Sequence, residues 1–496
     1  MEPVVPDDPL LVPAVEGPSL PGPPRQAEPR FSRVVTVLSA VVLLAGLTAF
    51  AWLQLSIPRL DRVPTPERAL ELMVGKMLDL EEAVTQAPAW EQQLYEFTSG
   101  GRAYELAQAI EGFEELTSAS PDPLLTLRLA VLHAEAGHLD WLRTKVTDWE
   151  ARPAPFSSYA RLLKGGYLDS RLDLDNEQVL QAKLAETLPA GWFYDRLTIN
   201  LAMRAGDRAL LAATQKATIA RGRPLLRRSR ILAVAESAVI VIGCLILISA
   251  WLRRRQNAAG LLQVGQAPIP PSWCGRTGMA VLLRGGALGM VMMAILLNIG
   301  MDDPVTRLAA IPLTNLPILL LSRTYLFRSA GQGFRTALGL TPKPEGWRRF
   351  GFAVPAVLAA GLLGEWGIDR VAVLFNETNH WTEWFDPDLV WGPLPVLGLS
   401  LLEYVVLAPL FEELVFRGLL FATLRRRFGA GASALLSATI FAAAHGYGLL
   451  GFASVLWSGM IWAWAYEKTG SLLPGMAAHA LNNLMVCVTL IALLRW

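Results

Sequence analysis

The sequence predicts an all-α, polytopic membrane protein: a bundle of about 8–9 transmembrane helices with a soluble helical domain inserted after the first. Three observations carry that expectation. The chain of 496 residues is 53% hydrophobic and only 18% charged, with a mean hydropathy of +0.36, too apolar for an ordinary soluble protein. Apolar segments recur along it, most of them long enough to cross a ~30 Å hydrocarbon core as a helix. Between the first and second of these, charges return and apolar residues follow the ~3.6-residue period of amphipathic helices. The formal net charge of +1 gives no footprint for a polyanionic partner, so no nucleic-acid binding is expected. Three dispersed cysteines, Cys244, Cys274 and Cys487, supply neither a disulfide framework nor a CxxC metal motif.

Taken in order, residues 1–33 hold Pro-Gly-Pro-Pro and scattered prolines with few large apolar side chains, the composition of a disordered tail. VVTVLSAVVLLAGLTAFAWLQLSI (34–57) is one spanning helix; its length and the tail before it point to a retained anchor rather than a cleaved signal peptide. Residues 58–230, with ALELMVGKMLDLEEAV, AYELAQAIEGFEEL and LLTLRLAVLHAEAGHLDWL, read as a soluble all-helical domain. Within it LAVLHAEAGH (129–138) resembles LTINLAMRAGD (197–207), and their Ala-Gly pairs lie about two periods of ~34 residues apart, the length of a tetratricopeptide-type hairpin. Two unrelated helices that each stop at Ala-Gly leave the same trace. Residues 231–278 give the second span and a loop, and 279–496 the remaining bundle, with apolar segments near 279–300, 308–327, 352–375, 393–424, 430–447, 449–467 and 471–494.

Arginine sets the expected orientation. Arg25, Arg30 and Arg33, then Arg253 to Arg255, then Arg335, Arg348 and Arg349, then Arg425 to Arg427 fall on one side if the spans alternate, whereas Asp302, Asp303, Asp386 and Asp388 fall on the other. The N-terminus and basic loops are therefore expected in the cytoplasm and the 58–230 domain outside it. Arg223 to Arg230, just before the second span, pull the other way. The richness in arginine, alanine, leucine and glycine is that of a GC-rich bacterial genome, which makes the inner membrane the expected location.

The last third carries the chemistry. In FEELVFRG (411–418), Glu413 and Arg417 are spaced to share a helix face and neutralise each other. Glu412 lies about 100° round the helix, without a local partner. SALLSATIFAAAH presents Phe441 and His445 on one face, and GMAAHALNNLM presents His479 and Asn483 with Asn482 beside them. Such groups are expensive in lipid and should face the bundle interior and one another. A carboxylate, two imidazoles and an amide in one cavity suit hydrolysis: Glu412 as general base on a water, one histidine positioning it, the other with the amide donating to an oxyanion.

Glu412-Glu413-x-x-x-Arg417, then Phe441-x-x-x-His445, then His479-x-x-x-Asn483, in that order on apolar helices, resembles the CPBP family of intramembrane glutamic endopeptidases, which includes the type II CAAX prenyl proteases and many bacterial Abi proteins. The resemblance covers about residues 279–496; the anchor and the soluble domain lie outside it. It implies an endopeptidase with Glu412 as base, His445 holding the water, His479 and Asn483 stabilising the oxyanion, and Glu413 and Arg417 shaping and charge-balancing the site. It implies no cofactor and no metal, and as partners a peptide or membrane-protein tail and the bilayer. Cleavage is expected near the cytoplasmic side, with the 58–230 domain recruiting a substrate or protein partner.

Other readings stand beside this one. The Glu-Glu-Arg cluster also fits a structural ion-pair network, and each histidine a satisfied core residue. Two histidines and two glutamates could bind zinc or iron in a metal-dependent protease, although HExxH is absent. A non-catalytic scaffold or immunity protein, or a transporter with a proton relay through Glu412 and His445, completes the set. Glu403, about 180° from Glu412, is expected to face another helix or the interface. Glu365 carries no assigned role, and the Asn376 sequon none in a bacterium. Trp381, Trp384 and Trp391 read as interfacial anchors, with a substrate entrance as the alternative.

Overall fold

The computed structural model describes residues 31–256, 260–301, 303–375 and 377–495. The expectations placed on the Pro-rich tail through residue 30, on Asp302 and on Asn376 lie outside those residues. Among the described residues every regular element is helical. Helix α1 (Arg33–Ser56) is followed by α2 (Pro66–Val84), α3 (Ala89–Ser99), α4 (Gly101–Ala119), α5 (Pro123–Glu135), α6 (Leu139–Glu150), α7 (Phe156–Leu163), α8 (Leu174–Thr187) and α9 (Trp192–Ala205). Then come α10 (Arg208–Arg255), α11 (Gly275–Ile299), α12 (Pro304–Phe327), α13 (Pro344–Leu374) and α14 (Leu394–Leu424), and last α15 (Ala430–Ala443), α16 (Leu449–Thr469) and α17 (Leu473–Arg495). Among the described residues, eight helices are long and apolar enough to span a bilayer, and α15, with 14 residues, is a shorter apolar one.

Helices α2 to α9 build the soluble domain around buried Leu78, Phe113, Leu125, Trp149, Leu163 and Leu197. The Ala-Gly pairs noted in the sequence are helix stops: Gly137 and Gly206 take φ of 81° and 76°, a left-handed conformation that ends α5 and α9 and costs glycine little. Buried carboxylates tie the helices together. Glu135 accepts from Arg196 Nε at 2.6 Å and Tyr167 Oη at 2.9 Å.

No loop separates this domain from the second span. Helix α10 has 48 residues, about 72 Å at 1.5 Å per residue, and it starts against α2 and α9 and ends among the spans. Two glycines permit those crossings: a Cβ on Gly222 would lie 2.0 Å from Asp79 O, and one on Gly243 2.3 Å from Pro355 O. Arg228 and Arg230, two of the arginines that opposed the orientation, are held here together with nearby Arg221. Arg221 pairs with Asp79 and Asp195, Arg228 donates to Ala492 O at 2.9 Å, and Arg230 pairs with Glu91 at 2.6 Å.

The bundle has two unlike ends. At one, the segment after α10 pairs with the α16–α17 turn, where Val264 and Gly265 N–H both donate to Thr469 O at 2.9 Å, and Arg425 pairs with Glu467 at 2.9 Å. The arginine-rich loops gather there. At the other end sits the soluble domain, and its core runs on into Trp381, Phe385, Leu389 and Val390 of the α13–α14 loop and Cys487, Leu490 and Leu494 of α17. His380 Nε2 meets Glu115 at 2.6 Å, Tyr104 Oη donates to Glu377 O at 3.1 Å, and Arg370 caps the last carbonyls of α3, Phe97 O and Thr98 O. Two of the three tryptophans read as membrane anchors therefore serve another purpose. Trp381 is buried in the domain's core, and Trp391 lies under the Arg68 guanidinium, 4.7 Å from its ring centre.

Candidate active site

The site is assembled from α14, α15 and α17 around a cavity of about 710 Å³. Helix α14 is not a regular α-helix: Leu402–Leu407 and Glu413–Phe421 form wider turns with hydrogen bonds to the fifth residue back. Such turns are frequent at functional sites. The first has a readable cause. Ala408 N–H donates to Glu403 O, and residue 409 is proline, with no N–H to offer. Tyr404 O is thereby deprived of a helical donor, and Asn483 Nδ2 of α17 donates to it at 2.8 Å. That bond also orients the Asn483 amide, because a carbonyl can only accept.

Where the second widening begins, the adjacent glutamates go different ways. Glu413 and Arg417 are both buried, each side chain 1% exposed, with Arg417 Nη1 3.0 Å from Glu413 Oε1. The same oxygen accepts from His479 Nδ1 at 3.1 Å. The Arg417 guanidinium lies 4.1 Å from the centre of the Phe441 ring, whose edge contacts reach both histidines, at 4.7 Å to His445 and 6.0 Å to His479. Space for the arginine depends on Gly459 of α16, where a Cβ would approach Ala438 Cβ at 2.9 Å and Arg417 Nη2 at 3.2 Å. Neither Glu413 nor Arg417 lines the cavity.

Glu412 does line it, with His445, His479 and Asn483. Its side chain is 28% exposed, and its Oε2 stands 3.7 Å from His479 Nε2, an ion-pair distance but beyond a direct hydrogen bond. His445 Nδ1 donates to Phe441 O at 2.8 Å. A carbonyl partner fixes that tautomer and leaves Nε2 as an acceptor. His479 stacks on Trp462 with 5.8 Å between ring centres. Among the described residues no three His, Cys, Asp or Glu side chains converge in an arrangement that would hold a metal ion.

Phe441 and Asn482, placed near the site by their spacing, also face the cavity. Several other residues there were not foreseen. Glu403 lines it, contrary to the expectation that it faces elsewhere, because a wide turn advances each residue by less than the 100° of an α-helix. Glu365 lines it from α13 and accepts from Ser458 Oγ at 2.5 Å. Glu383 of the α13–α14 loop accepts Gly448 N–H at 3.0 Å and so holds the turn that carries His445. Trp384, Phe385, Asp386 and Leu389 of the same loop close the cavity at the soluble-domain end. The cavity is thus walled by that end, not by the arginine-rich end near which cleavage was expected.

Residues 395–485 match the family model described as Rce1-like, type II CAAX prenyl endopeptidase Rce1-like. The match runs from the first turn of α14 into α17 and takes in all of the site residues from Glu403 to Asn483. No curated protein and no solved structure gives a significant match. The matched family supports a membrane endopeptidase. Residues 395–485 are thus similar to an Rce1-like type II CAAX prenyl endopeptidase domain, and they lie within an integral helical membrane bundle.

Proposed function

We propose that the protein hydrolyses a peptide bond with a water activated by Glu412. The supporting observation is the split between the adjacent glutamates: Glu413 is held by Arg417 and His479, while Glu412 faces the cavity with an oxygen 3.7 Å from His479 Nε2. Glu412 takes one proton from the water while His445 Nε2 accepts a hydrogen bond from the O–H that remains, and the resulting hydroxide oxygen attacks the peptide carbonyl. The oxyanion is met by Nε2–H of a doubly protonated His479 and the second N–H of Asn483. Glu412 then returns its proton to the departing amine.

The substrate is a peptide or a membrane-associated polypeptide, and the enzyme works without a metal or cofactor. We place the protein in a bacterial inner membrane with the arginine-rich loops in the cytoplasm and the soluble domain outside. Purified protein in lipid nanodiscs, given a panel of plain and lipidated peptides, should cleave at least one with and without a chelator. Turnover abolished by the chelator and restored by zinc would transfer the chemistry to a metalloprotease.

A further inference from the structure

The cavity that holds Glu412 adjoins another across the α13–α14 loop. A second cavity of about 520 Å³ lies between the soluble domain and the end of α17. Its domain wall is formed by Met73 and Met77 of α2 and Ala109 of α4, and its bundle wall by Trp381, Leu490 and Leu494. Asn379, Trp384 and Leu490 line both cavities, so three side chains rather than a helix divide them. Trp384, a large apolar side chain at a domain junction, is still 44% exposed.

We propose that this chamber binds an apolar stretch of the polypeptide substrate, some residues away from the scissile bond, so that the soluble domain forms one wall of the substrate cleft. The proposal rests on the peptidase reading and extends it. The volume is within the ~300–1,000 Å³ of ligand sites, and mostly apolar walls with a few polar groups are what such sites present. Gln108, Glu111 and Asn379 stand among those walls, and Arg59, Lys76, Glu115 and His380 also line the chamber. They offer donors and acceptors to a peptide backbone, of which a bare hydrocarbon chain makes no use. An extended chain advances about 3.3 Å per residue, so one passing Trp384 would occupy both cavities with a short segment. The soluble domain, outside the family match at 395–485, would then select substrates by sequence.

The test is photo-crosslinking on full-length protein carrying Glu412→Gln in nanodiscs, with labelled positions mapped by mass spectrometry. The probes are a decapeptide containing four consecutive photo-leucines, the same peptide with two of those positions changed to aspartate, and a farnesylated photo-leucine–cysteine methyl ester. The first should label α2, α4 and residues 489–494, and the other two at least tenfold less. Met77→Trp and Leu493→Trp, which fill the chamber from opposite walls, should each lower that labelling at least tenfold. Labelling confined to the catalytic cavity or to lipid-facing helices overturns the proposal, as does labelling indifferent to both fillings or strongest for the farnesyl probe. The map on the Glu412→Gln protein decides alone if a filled variant fails to fold. Cleavage of the first peptide by unmodified protein is scored separately. A labelled chamber without cleavage sinks the peptidase reading, and cleavage without a labelled chamber sinks this one.

Discussion

Glu413 and Arg417 make a buried pair whose members cannot be removed singly without leaving a charge uncompensated. Arg417→Met should lower unfolding stability by about 3–5 kcal/mol, as breaking a buried pair does, measured by denaturant unfolding in detergent micelles. Replacing both, Glu413→Leu with Arg417→Met, should recover most of that loss yet leave turnover low, since His479 Nδ1 loses its acceptor. Full activity in the double variant would show that the pair does not position His479. This pairing was legible from spacing alone, because residues four apart meet on any helix close to the α form. Glu403 was misplaced for the opposite reason: over nine residues, the widened turns accumulate an angular error that spacing rules do not contain.

At the scale of one element, α14 depends on Pro409. The proline withholds the N–H that would bond Tyr404 O, and Asn483 is held by the carbonyl so released. Pro409→Ala supplies a competing donor, so turnover should fall toward the ~10²–10³-fold lost when an oxyanion donor is removed, while the unfolding midpoint stays level or rises. Unchanged turnover would mean that Asn483 is oriented by other contacts. The sequence displayed both residues, but linking them required α17 to pack against α14. Glu365 was unassignable for the same reason, since only the approach of α13 brings it to the cavity.

At the scale of the whole molecule, the soluble domain and the bundle share a core. The hydropathy pattern exposed both parts, but their docking joins residues more than 250 positions apart, such as Tyr104 with Glu377 and Glu115 with His380, which no local pattern encodes. The domain also brings a pH dependence. Burial pushes the Glu105 carboxyl up to about 7 from 4.5, against the opposing hydrogen bond from Tyr95. A raised carboxyl value means that the folded state favours the protonated form. Its contribution is therefore complete below about 4.5 and is lost as pH rises through about 7. Glu105→Gln should flatten that slope and stabilise the protein at pH 8 by an amount on the order of 2–3 kcal/mol at most, read from unfolding midpoints between pH 4 and 8; an unaltered slope would assign the titration elsewhere. For orientation, an extracytoplasmic reporter inserted near residue 150 should be active, and silence there would reverse the assignment of sides.

The division of labour between the adjacent glutamates is tested most directly by measuring turnover and unfolding midpoint together for Glu412→Gln and Glu413→Gln. Glu412→Gln should lose about 10²- to 10⁴-fold in turnover, the usual range for a general base, with its midpoint unchanged or raised. Glu413→Gln should lower the midpoint, because Arg417 is left buried without its counter-charge. Undiminished cleavage by Glu412→Gln, with the catalytic loss falling on Glu413→Gln alone, would contradict Glu412 as the base.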